Sequence, residues 1–278
     1  MRKLLNANFS RLWKSKIFLM LELITFLFGI IAYFLVRINI INIGEDWIVR
    51  NANFYFFMVS LYVGALTAIF SSLFFGTEYS DGTIRNKLIV GHSRKSVYFS
   101  NWILNATVTV LFLVTHYLTA ILIGIPIVGI TIVSAIDQLL LKVVCSFVIA
   151  LTYSAIFTMT TMVNNNKASC AIINILLSLL LLIAGFMIFS ALEQPEMKYR
   201  MVLQNDGSYL MEENIPNSRY VGGNLRVVYS IAESIMPAAF ALRVASDNFS
   251  FYHIIGCVIL TVLLTIWGEI WFTKKDIR

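Results

Sequence analysis

GTEYSDGTIRNKLIVGHSRKS, residues 76–96, is a polar island between two apolar runs, one at about 54–76 and one reaching from about 97 to 136. About 20 apolar residues in a helix cross ~30 Å of hydrocarbon. The island therefore marks a place where the chain leaves a membrane, turns and re-enters. Working outward, similar runs lie at about 17–37, 138–163, 168–192 and 251–272. Of the 278 residues, 59% are hydrophobic and only 13% charged, where soluble chains carry about 25% charged residues. Too little polar surface is left to coat a water-soluble particle. The expected fold is an all-α integral membrane protein with six transmembrane helices, forming one domain over 1–278.

The third run is long enough for two bilayers. Either one span, at about 97–123, ends near Gly124, Pro126 and Gly129, or two spans turn near His116. Glycine and proline punctuate the first place and nothing punctuates the second, which favours a single span. Cys145, Cys170 and Cys257 all sit in apolar runs. An odd count in hydrocarbon provides neither a disulfide framework nor metal-ligand spacing.

Residues 1–16 place Leu5, Phe9, Leu12 and Trp13 on one helical face, with Lys3, Arg11 and Lys14 off it. This predicts an amphipathic helix lying on the membrane surface, basic on its wet side. A signal peptide is disfavoured, because the apolar run that follows is too long and no small-residue cleavage site succeeds it. Orientation follows from basic residues. Placing the N-terminus, 76–96, 164–167 and the C-terminal end on one side gathers 13 of the 21 Lys and Arg there. That side is read as cytoplasmic, with both termini inside and a multi-pass location in the cell membrane. Trp13, Trp102, Trp267 and Trp271 fall near span ends, at the headgroup level that indole prefers.

No catalytic motif is present: no H-E-x-x-H, no G-x-S-x-G and no phosphate loop. No catalytic residue, metal site or nucleic-acid surface is expected. The informative segment is the island. Ser80 or Asp81 can cap a short helix opening at Gly82, with Ile84 and Leu88 on one face and Arg85 and Lys87 elsewhere. Gly91 can end it, and Ser93 can cap the next span. The helix either rests on headgroups or meets a partner.

Glu-Tyr-Ser-Asp-Gly-Thr-Ile-Arg-Asn-Lys-Leu (78–88), followed by Ser-Arg-Lys-Ser-Val-Tyr-Phe-Ser-Asn (93–101), resembles the cytoplasmic loop of ABC export permeases of the second class. There an E-x-x-x-G-T-hydrophobic-R/K-x-x-L run precedes an S-R-x-x-hydrophobic run. The leading helix, six spans, long outer segment and Lys275–Asp276–Ile277 ending also match. The resemblance implies a half-transporter that pairs with a second permease copy or paralogue. A separate ATPase subunit, carrying ATP and magnesium, would work with each permease, and this chain would bind no cofactor. The segment 77–96 becomes a coupling loop whose helix meets the ATPase, with Glu78, Asp81, Gly82, Thr83, Ile84, Arg85 and Lys87 as expected contacts. The leading helix, with Leu5, Phe9, Arg11 and Trp13, would touch the ATPase or lipid headgroups. Short helices within 193–250, one opened by Pro237, would roof the pathway outside.

Ser60, Gly64, Ala68 and Ser72 recur every four residues, a spacing that lets helices approach closely, either within one subunit or across a dimer seam. Glu22, and the polar stripe Asn101, Asn105, Thr109 and His116, either line a transport path or make interhelical hydrogen bonds. The expected function is ATP-driven export of an apolar or amphipathic cargo by alternating access. An antimicrobial or toxin peptide of the phenol-soluble-modulin or bacteriocin kind is the favoured cargo, with a drug or lipid as the alternative. A stand-alone secondary transporter would show inverted repeats and midplane charges, neither of which stands out.

Overall fold

The computed structural model describes residues 1–43, 54–128, 136–164, 166–203, 209–246 and 249–275. The expectations that touch Gly129, Asp276 and Ile277 lie outside the described residues. The helices are α1 (Arg2–Trp13), α2 (Lys16–Ile43), α3 (Val59–Ser80), α4 (Thr83–Ile89), α5 (Arg94–Thr119), α6 (Ile136–Val163), α7 (Lys167–Leu192), α8 (Gly223–Ile235), α9 (Pro237–Ala245) and α10 (Phe251–Lys274). Six are long and apolar enough to cross a membrane: α2, α3, α5, α6, α7 and α10. A two-stranded antiparallel hairpin, β1 (Met197–Leu203) and β2 (Tyr209–Pro216), joins α7 to α8; the sequence reading had only short helices in this segment.

Side-chain bonds set the register of the bundle. α2 and α5 rise together, Phe18 meeting Phe112 and Gly29 lying against Thr119. α3 runs antiparallel to α5, joined by Tyr62 with His116 and by Thr67 with Thr109. α6 follows α3, bonded from Ser60 to Ser146 at 3.0 Å. α10 follows α6, with Thr152 and Thr261 2.9 Å apart. One end of the bundle thus collects α4, the start of α5, the α6–α7 turn and the end of α10.

The third apolar run is a single helix with no break at His116. It continues beyond Thr119 through a π turn, Ala120–Gly124, and a last helical turn, Ile125–Val128. Proline lacks an N–H and crowds the carbonyl four residues back. The widened π turn lies directly upstream of Pro126, where Ile125 reaches back to the Ala120 carbonyl. The span therefore runs past the expected end at residue 123.

The small-residue stripe packs inside this one chain. Gly64 lies under the Tyr153 ring of α6, and Ser72 donates to the Cys170 carbonyl of α7 at 3.2 Å. Ala68 is fully buried and its carbonyl accepts from Ser72 at 2.6 Å. At the other end, α8 and α9 meet at a 90° bend at Met236. All nine residues of α9 are buried. Its Arg243 is bonded within the protein, to Glu233 at 2.7 Å and to Glu193.

α1 corrects one expectation. Its buried face is Leu4, Asn8 and Leu12, so of the expected Leu5, Phe9, Leu12 and Trp13 face only Leu12 is fully buried. Leu5 and Phe9 are half-buried beside it and Trp13 is 60% exposed. α1 is also packed on the bundle. It follows the beginning of α5, Leu4 clustering with Val97 and Tyr98 and Asn8 bonding Asn101. On that side Asn8 finds polar partners, and Leu4 and Leu12 find apolar ones.

Candidate functional site

Side chains from three other helices, α1, α4 and α5, converge on one carboxylate of α3. Glu78, in the last turn of α3, is 1% exposed. Arg11 of α1 and Lys87 of α4 each reach its Oε1 at 2.6 Å. Asn101 of α5 donates to Oε2 at 3.1 Å. Asn8 closes the ring, donating to Asn101 at 3.0 Å and accepting from Lys87 at 3.1 Å. Arg11 also lies 3.9 Å over the Phe74 ring, where the π face attracts a cation. Burial pushes the Lys87 ammonium below its usual range, against the upward pull of Glu78. Two cations on one acid, with each carboxylate oxygen bonded, make a charge-assisted knot.

α4 stands directly on this knot. Its Ncap, Gly82, has φ +66°, and Gly91 beyond its end has φ +94°. Both are left-handed, a conformation glycine adopts without penalty. The cap is therefore the Gly82 backbone and not the side chain of Ser80 or Asp81. Ser93 does cap α5, accepting from the Ser96 N–H at 3.2 Å. Ile84 is buried and Leu88 packs beside it in a small apolar cluster with Leu4, Val97, Tyr98, Met162 and Phe272. This cluster is separate from the main core and gathers α1, α4, α5, α6 and α10. The opposite face of α4 is bare: Arg85 and Asn86 are exposed, as are Ile89 at 71% and Val90 at 77%. Asp81 is exposed and Thr83 half-buried.

The expected contacts therefore divide. Asp81, Arg85 and the turn at Gly82 face outward, while Glu78, Ile84 and Lys87 face inward and hold the helix in place. Arg11, placed on the wet side by the sequence reading, turns into the knot because Glu78 is the one acid within its reach among the described residues. Ile89 and Val90 were not singled out from the sequence, though they fall opposite Ile84 on a helical wheel. Asn8 was missed as well; its signal was a polar residue one turn from Leu4 and one turn from Leu12.

Asn105 and His116 do not line a surface. Both are fully buried. Asn105 donates to Thr158 at 2.9 Å and to the Ser154 carbonyl at 3.2 Å, and His116 meets Tyr62 at 2.8 Å. Both side chains are thus bonded to neighbouring helices. Glu22 is half-buried and accepts from Thr115 at 2.6 Å. Among the described residues no three His, Cys, Asp or Glu are grouped to hold a metal. The arrangement is a small bare face on a helix whose other side is packed and bonded to the bundle.

The family model described as "ABC-2 family transporter protein" matches residues 4–185. The match takes in α1, the Glu78 knot and α4, and stops within α7. No curated protein matches the chain.

Proposed function

Because the chain belongs to the ABC-2 family of transporter proteins, we propose that it is the permease subunit of an ATP-driven exporter and that α4 is its coupling helix. The supporting observation is the bare Arg85–Asn86–Ile89–Val90 face on a helix whose other side is buried. A partner can shift a two-state membrane domain only through contacts that differ between the states. A fixed knob with an apolar tip and a charged rim meets that need. ATP and magnesium belong to a separate ATPase chain. Two permeases, identical or paralogous, work with two such ATPases. Both termini and α4 lie on the basic, cytoplasmic side.

The cargo in this reading is an amphipathic peptide that partitions into the interface and enters from the bilayer. Glu22 remains the one expected pathway residue that reaches the subunit surface.

Affinity purification of the tagged chain from its own cells tests the docking. An ATPase chain should accompany the wild type and be lost with Arg85→Glu or Val90→Asp, while the melting temperature stays constant. Retention of the ATPase in both variants would refute the coupling assignment. For the cargo, turnover of the assembled complex should rise with a synthetic amphipathic helical peptide. Indifference to that peptide, with stimulation by a drug or lipid, would refute the peptide reading.

A further inference from the structure

The end of α10 is bound to the α4 end of the bundle by more than packing. The Arg94 guanidinium, at the first residue of α5, donates to the carbonyls of Thr273 (3.3 Å) and Lys275. The last carbonyls of a helix have no partner within it, so this is a side-chain cap supplied from another helix. Lys275 reaches across the bundle. Its Nζ donates to the Tyr79 hydroxyl at 3.2 Å and to the Met162 carbonyl at 3.0 Å, and lies 4.4 Å from the centre of the Tyr79 ring. Tyr79 itself donates to the Met162 carbonyl at 2.5 Å. One lysine thus ties the ends of α3, α6 and α10 together, one residue from Glu78. On the α5 side, Gly268 leaves no room for a Cβ beside the Tyr98 hydroxyl, and Phe272 shares the apolar cluster with Ile84.

We propose that Lys275, with Arg94 as its brace, is a positioning residue of the coupling machinery: it makes the last span move with α4. The proposal rests on α4 being the coupling helix and adds the route by which a push there reaches α10. Ile84 pressed inward bears on Tyr98 and Phe272. The Lys275 bonds stop the end of α10 from sliding past Tyr79 and Met162 instead. Without them, α4 would move α3 and α5 and leave α10 behind.

The full chain can be tested in lipid nanodiscs. Cys145, Cys170 and Cys257 are fully buried, so cysteines placed at Val90 and Lys274, both exposed, can carry spin labels alone. The labelled chain is diluted with unlabelled chain to suppress distances between copies. The otherwise wild-type chain should give one narrow distance distribution. Lys275→Ala should lose that narrow distance while the melting temperature stays unchanged, and Lys275→Arg should restore it. An unchanged distribution in Lys275→Ala would overturn the proposal, as would a broadening that Lys275→Arg does not rescue. If Lys275→Ala fails to fold, Tyr79→Phe decides. It deletes one of the acceptors and should broaden the distribution, and a narrow distribution would overturn the proposal. ATPase co-purification reads the docking of α4 separately, so failure here leaves that reading standing.

Discussion

Replacing Glu78 with alanine should destabilise the protein markedly, because it strands buried cations at the α4 end. The carboxylate is the sole acid for Arg11 and Lys87 among the described residues, and it accepts from Asn101. Removing one partner of a buried ion pair leaves uncompensated charge and costs about 3–5 kcal/mol. The low end applies here. The Arg11 side chain is 35% exposed and can turn to solvent, whereas that of Lys87, at 12%, cannot. At about 3 kcal/mol the melting temperature should fall by roughly 6–12 °C, given about 2–4 °C per kcal/mol for chains of a few hundred residues. A thiol-reactive dye can follow unfolding, because all three cysteines are buried until it occurs. Lys87→Met added to Glu78→Ala should regain part of the loss by deleting a stranded cation, a non-additivity expected of contacting groups. A Glu78→Ala melt within a degree of wild type would refute the knot as a structural element, and full additivity in the double variant would refute the Glu78–Lys87 pairing.

Three further outcomes follow from the same geometry. Ile84→Ala should cost about 2–5 kcal/mol, the range for truncating a buried aliphatic side chain, while Ile89→Ala at 71% exposure should leave the melt unchanged and weaken ATPase recovery. Gly64→Leu should lower the melting temperature, because even a Cβ there comes within 2.6 Å of the Tyr153 ring and overpacking costs about 1–3 kcal/mol. Burial pushes Lys275 down to about 8, against about 10.4 for a free lysine. Between those pH values the unfolded chain holds more protons than the folded one, so stability should rise with pH through that window, and Lys275→Met should flatten the rise in a melt series.

The six spans were legible because hydrocarbon imposes its length on the sequence directly. Short-range features were legible for a similar reason. Gly82 and Gly91 occupy left-handed turns, and Ser93 caps α5 within three residues of its partner. The knot was not legible. Glu78 draws its partners from positions 11, 87 and 101, and no local pattern declares that those helices meet. α1 shows where periodicity misleads. Ranking its faces by apolar content selects Leu5, Phe9, Leu12 and Trp13, of which only Leu12 is fully buried, and beside lipid an apolar face needs no protein partner. A buried asparagine does need one, so Asn8, bonded to Asn101, helps set which face docks, beside Leu12 and Phe9, which pack on the main core. The stripe on α5 obeys the same rule. Asn101, Asn105 and Thr109 were visible as polar residues in a span, but only the neighbouring helices make them structural ties.

This inversion also bears on how force would travel. A coupling helix hung from α3 alone would pass a push to α3 and lose the rest to its own rocking. Here rocking is blocked on two sides, by Ile84 and Leu88 in the apolar cluster and by Lys87 in the knot, and only the Arg85–Val90 face is free. The rigid unit therefore contains α1 as well as α4, since Arg11 and Asn8 close the ring around Glu78 and Lys87. If that unit couples to an ATPase, Asn8→Leu should separate two quantities that a merely weakened fold would lower together. ATPase binding should persist through the untouched outer face, while cargo stimulation of turnover falls, because α1 no longer follows α4. Equal losses of binding and stimulation in Asn8→Leu would show that α1 carries no part of the load.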